Sequence, residues 1–334
     1  MHAIVVTEKG GPEVLEPRDE PDPQPGPGQL LVDLDAAGVN FRDIYEREGV
    51  GFYAAETPFV AGAEGAGTVA EVGEGVTEFA RGDRVAWAAA PGSYAERVLV
   101  AEQGAVPVPD GVSNEVAAAA ILQGMTAHYL AVDTYPVQPD DTVLVHAAAG
   151  GVGLLLTQLV KLRGGRVIAT TGSEEKAELA RGAGADEVVG YDGFSDAARE
   201  FSGGGGVAVV YDGIGQATFD GSLAALRPRG YMVLYGAASG QADPVAVQRL
   251  HEGGSLYLTR PGLPNYIATR HELLHRAREV FGWIADGRLD VRIGARYPLA
   301  EARRAQEDLA ARRTTGKVLL LPSRTFRAAA ESAP

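Results

Sequence analysis

Short runs in which apolar and polar residues alternate dominate the first third of the chain. Such runs occur at 3–6, 30–36, 67–72, 83–87 and 94–100, and turns rich in glycine and proline separate them. A period of two places successive side chains on opposite faces of a strand. The pattern therefore predicts a mostly β unit at the start of the chain.

The pattern changes at Asn114. An alanine-rich stretch at 114–129 is typical of a helix, and from 141 onward short β-branched runs alternate with helical patterns. The strand candidates are 142–146, 166–170, 187–190, 207–211, 231–235 and 255–259. Strands that alternate with helices favour right-handed crossovers and a parallel sheet with helices on both faces. This part of the chain is predicted to be a doubly wound α/β domain.

The last part of the chain contains two more helical patterns and one strand. Helices are expected at 271–286 and 303–312, and an apolar strand at 317–321. This tail is predicted to rejoin the first domain. The expected layout is therefore a discontinuous domain of residues 1–124 and 266–334, with a nucleotide-binding domain at 125–265.

Composition and charge exclude several classes of protein. Apolar residues make up 46% of the chain, as in an ordinary globular protein. The net charge is −14, so a cationic surface for nucleic acid or anionic lipid is not expected. The longest apolar run, 116–122, is much shorter than the ~18 residues of a membrane span. The first ten residues do not resemble a secretory signal, which predicts a cytoplasmic protein. Cysteine is absent, which excludes disulfides, a thiolate nucleophile and cysteine-ligated zinc.

A glycine-rich turn follows the predicted strand 142–146 and precedes a helical pattern. It reads Ala147-Ala-Ala-Gly-Gly-Val-Gly153. The three glycine positions of a G-x-G-x-x-G pattern correspond to Ala148, Gly150 and Gly153, so alanine replaces the first glycine. Without Cβ atoms, the backbone can approach a pyrophosphate at the positive end of the helix. The turn predicts a dinucleotide site, and the alternative is a tight turn that binds no ligand.

The residues after the second strand of this domain bear on the choice of coenzyme. A site for NAD usually has an acidic residue here, but the chain has Thr170-Thr-Gly-Ser173. Ser173 is a plausible N-cap, which places Glu174, Glu175 and Lys176 in the first turn of a helix. A cation there opposes the helix dipole, and contact with a 2′-phosphate would explain it. We therefore favour NADPH over NADH, although Lys176 is also explained as a solvated partner of the two glutamates.

Short motifs spread over nearly the whole chain carry a family resemblance. They are Gly10-Gly-Pro-Glu-Val-Leu15, Gly38-Val-Asn-Phe41 with Asp43 and Tyr45, Gly62-Ala-Glu-Gly-Ala-Gly67, Gly82-Asp-Arg-Val85, the 146–153 turn, Val210-Tyr-Asp212, Gly254-Ser-Leu-Tyr-Leu-Thr-Arg-Pro261 and Thr315-Gly-Lys317. Together they resemble the quinone oxidoreductase (zeta-crystallin-like) branch of the medium-chain dehydrogenase/reductase superfamily. The resemblance implies a GroES-like β domain that holds the substrate cleft, a Rossmann domain, and a homodimer.

The resemblance also implies a reaction without metal. Zinc-dependent relatives have Gly-His-Glu where this chain has Gly62-Ala63-Glu64, and they use cysteine ligands. Hydride transfer without a Lewis acid suits an electron-poor acceptor, so we predict an NADPH-dependent quinone reductase. One alternative is an enone or alkenal double-bond reductase. Another is a non-catalytic NADPH-binding protein, for which the net charge argues against RNA as the partner.

Site residues follow from the family pattern. Asn40, Tyr45 and Tyr53 are expected to line the substrate cleft and to hydrogen-bond a carbonyl oxygen that gains negative charge. No dedicated general base is expected, and a proton-donating role for either tyrosine competes with simple packing. Tyr191 and Arg312 match positions at the phosphate end of the coenzyme. The full set of expected coenzyme contacts is Thr126, Ala149, Gly150, Gly151, Val152, Gly172, Ser173, Lys176, Tyr191, Gly213, Gly236, Thr259, Arg260 and Arg312.

One motif points to different chemistry. His271-Glu-Leu-Leu-His275 matches the H-E-x-x-H signature of zinc peptidases. On a helical wheel the two histidines lie opposite the apolar stripe, so they are expected to face water. A catalytic zinc also needs a third ligand in a walled cleft, and none is evident. We therefore expect no metal site here.

Overall fold

The computed structural model describes residues 1–50 and 55–323 of the 334-residue chain. The chain divides into two compact units. The first unit consists of Met1–Leu122 and Thr269–Pro334, and the second of Gln123–Ala268. Within the described residues no helix is long and apolar enough to cross a bilayer.

The first unit is built on mostly antiparallel sheets, in which only β15 and β16 of the described strands pair in parallel. Its strands are β1 (His2–Val6), β2 (Leu15–Asp19), β3 (Gln29–Val39), β4 (Phe59–Val60), β5 (Glu64–Val72), β6 (Arg84–Trp87), β7 (Arg97–Ala101), β8 (Val106–Pro107), β15 (Ile293–Pro298) and β16 (Lys317–Leu321). A seven-stranded sheet has the order β15-β16-β3-β5-β6-β8, with β7 also paired to β3, and a smaller sheet has the order β2-β1-β4. The late strand β16 lies antiparallel to β3, so it is an integral strand of the larger sheet.

Helices of the first unit include one that the periodicity did not predict. The helices are α1 (Phe41–Glu48), α8 (Arg270–Ala285) and α9 (Ala302–Ala310). Helix α1 follows β3 directly and ends at Gly49, whose φ of 72° lies in the left-handed region that glycine adopts readily. A capping box between Thr269 and Glu272 starts α8.

The second unit is a six-stranded parallel sheet between helices, as predicted. Its order is β11-β10-β9-β12-β13-β14. The strands are β9 (Thr142–Val145), β10 (Arg166–Thr170), β11 (Glu187–Val189), β12 (Val207–Asp212), β13 (Leu226–Leu234) and β14 (Tyr257–Thr259). The helices are α2 (Asn114–Tyr129), within which the chain passes from the first unit to the second, α3 (Gly151–Leu162), α4 (Glu174–Gly182), α5 (Phe194–Phe201), α6 (Phe219–Ala225) and α7 (Gln248–Glu252).

The starts of two strands in this sheet differ from the predicted ones by more than one residue. Strand β13 begins at Leu226, five residues before the predicted start at 231, and its pairing with β12 is interrupted after the contact of Val207 with Leu226. Strand β14 begins at Tyr257 rather than 255. Ser255 has a φ of 59°, and a left-handed residue cannot continue a strand.

Candidate functional site

The glycine-rich turn joins β9 to α3 as predicted. Ala147 has a φ of 49° and reverses the chain, and Gly150 is the N-cap of α3. A Cβ on Gly153 would lie 2.4 Å from the carbonyl oxygen of Ala147, so only glycine lets α3 pack this closely on the turn. The first amides of α3 have no acceptor within their own helix. The turn therefore has the geometry of an anion-binding helix start.

Most of the predicted coenzyme contacts lie at one edge of the sheet. The carboxyl ends of parallel strands share an edge, and the loops that follow β9, β10, β11, β12, β13 and β14 all begin there. These loops contain Ala149, Gly150, Gly172, Ser173, Tyr191, Gly213, Gly236 and Arg260, Gly151 and Val152 are the first residues of α3, and Thr259 is the last residue of β14. The fold thus brings these residues to the edge where open α/β sheets bind ligands.

The start of α4 has the predicted cap. The Ser173 hydroxyl accepts a hydrogen bond from the Lys176 amide at 3.4 Å, which confirms Ser173 as the N-cap. Lys176 is half-buried, and Glu174 and Glu175 are exposed in the same turn. A Cβ on Gly172 would meet no atom within 4 Å. This open loop, with a cation beside it, has room for an anionic group.

The loops after β12 and β13 approach each other at two glycines. A Cβ on Gly236 would lie 2.4 Å from the carbonyl oxygen of Gly213, and a Cβ on Gly213 would lie 2.9 Å from the Tyr235 ring. Gly236 therefore allows a close backbone approach, whereas a Cβ at Gly213 would have to displace the Tyr235 ring.

Two predicted coenzyme contacts lie neither in these loops nor at the starts of the helices that follow them. Thr126 is buried on α2, and Arg312 follows α9 in the first unit, where it is exposed with a φ of 58°.

In the first unit, two charged side chains hold Asn40. Lys317 Nζ donates to Asn40 Oδ1 at 2.9 Å, and Asn40 Nδ2 donates to Glu64 Oε2 at 2.7 Å. Lys317 and Glu64 also form a fully buried ion pair, and Glu64 Oε1 accepts from the Leu122 amide at 2.8 Å. The opposite charges on the two sides determine which end of the Asn40 amide is oxygen and which is nitrogen.

A buried carboxyl group lies at the start of α1. Asp43 Oδ2 accepts from the Asn40 amide at 2.9 Å and from the Tyr94 hydroxyl at 2.8 Å. Burial raises the pKa of Asp43 to about 6, against the opposing effect of the Arg42 guanidinium. Tyr45 is half-buried on the same helix, with its ring 6.4 Å from that of Phe41. Tyr53 lies outside the described residues.

Glu64 and Lys317 were not among the predicted site residues. Both lie in motifs that carry the family resemblance, but their sequence separation of 253 residues hides the contact. The available signal was Lys317 itself, one of only four lysines, at the start of the apolar strand Lys317–Leu321. A lysine is seldom fully buried without a charged partner.

The H-E-x-x-H helix presents its histidines to solvent, as predicted. His271 and His275 are exposed on α8 with their rings stacked 6.3 Å apart, and His275 Nε2 lies 3.5 Å from a carboxylate oxygen of Glu279. Across residues 1–50 and 55–323, no group of three or more potential metal-ligating side chains is present.

Comparison with known proteins defines the family. The family described as zinc-binding dehydrogenase matches residues 151–265, and the alcohol dehydrogenase GroES-like domain matches residues 26–110. The chain is 46% identical to a quinone oxidoreductase of Pseudomonas aeruginosa over 94% of this chain and 97% of that protein. It is 40% identical to a 2-haloacrylate reductase of Burkholderia over 96% and 98% of the two chains.

A solved mycobacterial structure in complex with NADPH has the same fold. It superimposes with a TM-score of 0.94 at 52% identity, and the match covers 96% of this chain and all of the other. The predicted combination of a GroES-like domain and a Rossmann domain is confirmed. This chain belongs to the quinone oxidoreductase branch of the medium-chain dehydrogenase/reductase superfamily.

Proposed function

We propose that this protein is an enzyme that transfers a hydride from NADPH to a quinone. One observation carries the proposal: the glycine turn and the other loops of the predicted coenzyme site lie at one sheet edge, in a chain 46% identical to a quinone oxidoreductase. When bound, NADPH supplies the hydride from its nicotinamide ring. The described residues supply binding and orientation.

The residues of the second unit fit this coenzyme. Gly150 and Gly151 lack Cβ atoms at the start of α3, where the amides would hold the pyrophosphate. Ser173, Lys176 and Tyr191 would hold the 2′-phosphate end, and the open space at Gly172 leaves room for it. The NADPH-bound mycobacterial relative supports the choice of NADPH. The remaining predicted contacts, including Arg312, belong to the same proposal.

The acceptor would be contacted by Asn40, Tyr45 and Tyr53. The contacts with Lys317 and Glu64 hold the Asn40 amide in one orientation, which suits a group that must bind a carbonyl oxygen in a defined way. The hydroxyl of Tyr45 or Tyr53 would donate the proton that the reduced acceptor takes up. The reaction then depends on the orientation of hydride donor and acceptor and on the exclusion of water.

Zinc does not fit the residues of this chain. Cysteine is absent from the sequence, and Ala63 stands where zinc-dependent relatives have histidine. The proposed reaction therefore proceeds without zinc, although the match at 151–265 is to a family described as zinc-binding.

A second candidate is reduction of an activated carbon–carbon double bond. The 40% identity to a 2-haloacrylate reductase favours it over unrelated reactions, because hydride donation to a conjugated acceptor has the same geometry. Steady-state NADPH oxidation with a panel of benzoquinone, naphthoquinones, 2-haloacrylate and alkenals separates the two. Turnover of quinones supports the first proposal. Saturable turnover of alkenals or haloacrylate alone replaces it with the second, and NADPH binding without any turnover identifies a non-catalytic binder.

The assembly is proposed to be a homodimer. Within the described residues, strand β14 pairs only with β13 and forms one edge of the parallel sheet. Tyr257 on this strand is 51% exposed and stacks on Tyr231 with ring centres 4.4 Å apart. An edge strand with an exposed aromatic side chain suits pairing with a second copy. The cytoplasmic location and the absence of nucleic-acid partners stay predictions.

A further inference from the structure

A network of buried polar side chains lies at the strand ends that lead into the predicted coenzyme loops. Its members are Thr170 at the end of β10, His146 just after β9, Asp212 at the end of β12, and Ser222 on α6. The three strands are neighbours in the sheet, in the order β10-β9-β12. All four side chains are fully buried.

Short hydrogen bonds connect the four side chains. His146 Nδ1 lies 2.8 Å from Thr170 Oγ1, and His146 Nε2 lies 2.9 Å from Ser222 Oγ. Ser222 Oγ in turn lies 2.9 Å from Asp212 Oδ2. The hydrogen bonds therefore run without a gap from the end of β10 to the end of β12.

The donors and acceptors can be assigned from Asp212. As a carboxylate it only accepts: Oδ1 accepts from the amides of Ile214 and Gly215 at 2.8 and 3.0 Å, and Oδ2 accepts from the hydroxyls of Thr218 and Ser222. The proton of Ser222 is thus committed to Asp212, so Ser222 must accept from His146.

The hydrogen bond to Ser222 determines the tautomer of His146. Its Nε2 carries the proton, and its Nδ1 accepts from the Thr170 hydroxyl. Burial lowers the pKa of His146 to about 4, against the opposing charge of Asp212, so the ring is neutral at pH 7. Its ring also packs edge-on against Phe194 at 4.7 Å, which limits rotation.

Each strand end in this network leads into a loop with predicted coenzyme contacts. His146 precedes the turn that contains Gly150, Thr170 precedes the loop of Gly172, and Asp212 precedes Gly213. The Asp212 carbonyl oxygen also accepts from the Tyr235 amide at 2.8 Å, which fixes the loop that contains Gly236. The side-chain network thus connects three loops of the site, and a backbone hydrogen bond of Asp212 connects the fourth.

We propose that Ser222 and His146 are positioning residues that hold these loops in the coenzyme-binding conformation before NADPH arrives. The inference rests on the proposed function, because it assumes that these loops bind the coenzyme. A preorganised site avoids the free-energy cost of ordering loops on binding, so breaking the network weakens binding although its four side chains are fully buried.

The first test compares two variants that each lose a buried hydroxyl. Ser222→Ala breaks the network at its centre. Tyr211→Phe is the matched control, because the Tyr211 hydroxyl on β12 is also fully buried but donates to the Leu130 carbonyl oxygen, 3.0 Å away, outside the network. NADPH affinity is measured by fluorescence titration, and the melting temperature of each variant is recorded.

We expect Ser222→Ala to raise the Kd for NADPH about tenfold. Tyr211→Phe should change Kd less than about twofold while lowering the melting temperature similarly. Equal Kd values for Ser222→Ala and the wild type would overturn the inference and leave the proposed function intact. A wild-type protein that does not bind NADPH would instead refute the proposed function.

The second test needs no cavity-forming substitution. The ¹⁵N NMR shifts of His146, assigned by comparison with His146→Gln, report which ring nitrogen carries the proton. In Asp212→Asn, the side-chain oxygen continues to accept from the two backbone amides. The new side-chain nitrogen therefore faces Ser222 and donates to it. Ser222 then donates to His146, so we expect the proton to move from Nε2 to Nδ1. The same tautomer in both proteins would contradict the assigned network.

Discussion

At the scale of single residues, burial determines what the ionisable groups near the proposed site can do. Asp43 and His146 are both buried, but burial changes their pKa values in opposite directions. The acid becomes harder to deprotonate and the base becomes harder to protonate, since burial disfavours the charged form of each. Both groups therefore link the stability of the fold to pH.

Replacement of Asp43 tests this link. Its pKa is raised from 3.8 to about 6, so Asp43 contributes stability that is present below pH 3.8 and is lost as the pH rises through 6. Asp43→Asn stays uncharged and can still accept from Tyr94 and the Asn40 amide. Relative to the wild type, its free energy of unfolding should increase by roughly 2–3 kcal/mol between pH 4 and pH 8.

Urea unfolding at several pH values between 4 and 8 measures this difference. Asp110→Asn is the control, because that carboxylate is fully exposed. A difference between Asp43→Asn and the wild type that stays constant with pH would show that Asp43 does not titrate in this range.

At the scale of elements, the junction of β9 and α3 depends on one glycine. A Cβ on Gly153 would lie 2.4 Å from the Ala147 carbonyl oxygen and 2.7 Å from the Ala148 Cα, which are backbone atoms that cannot move away alone. We expect Gly153→Ala to lower the free energy of unfolding by about 1–3 kcal/mol and to weaken NADPH binding.

Gly172→Ala is the matched control for this substitution. A Cβ at Gly172 meets no atom within 4 Å, so the free energy of unfolding should change by less than about 0.5 kcal/mol. Thermal or urea unfolding of the two variants compares the positions. Equal stabilities would mean that α3 can shift away from the turn without loss.

The first turn of α4 carries the proposed coenzyme preference. Lys176→Met removes the cation beside the Gly172 loop, and we expect KM for NADPH to rise about tenfold while KM for NADH changes less than about twofold. Lys161→Met is the control, because it also removes a lysine charge but Lys161 is on α3, where its Nζ pairs with Asp186 at 2.7 Å. An equal loss of activity with NADPH and NADH, or no loss with either coenzyme, would argue against a 2′-phosphate contact.

The elements themselves were largely predictable. The alternation of strand and helix patterns in the second unit predicted the parallel sheet, and Ser173 was identified as an N-cap from its residue type and position. Helix α1 was missed, because its eight residues are too few for a clear helical period. The predicted domain boundaries at 124/125 and 265/266 stay a prediction.

At the scale of the whole molecule, the proposed dimer depends on the β14 edge. Tyr257→Arg places a charge on this exposed edge strand, and we expect it to shift the protein toward monomers because like charges would meet across the interface. Leu162→Arg on α3 is the control, since Leu162 is 48% exposed and lies on a different surface element. Light scattering after size-exclusion chromatography gives the mass of each. An unchanged dimer in Tyr257→Arg would exclude β14 as the interface.

The sequence by itself determined the features that depend on neighbouring residues. Periodicity, the glycine turn at 147–153 and the cap at Ser173 are local, so a short stretch of chain contains all the information that they need. The absence of cysteine and the alanine at position 63 likewise argued against zinc without any coordinates.

Only the tertiary structure decided which polar side chains meet. Lys317 reaches Asn40 across 277 positions, and Ser222 reaches His146 across 76. These contacts depend on strand order and register, which bring the ends of distant segments to one place. A buried polar group must find its partner there, because water is excluded, and the chain alone does not reveal which partner that is.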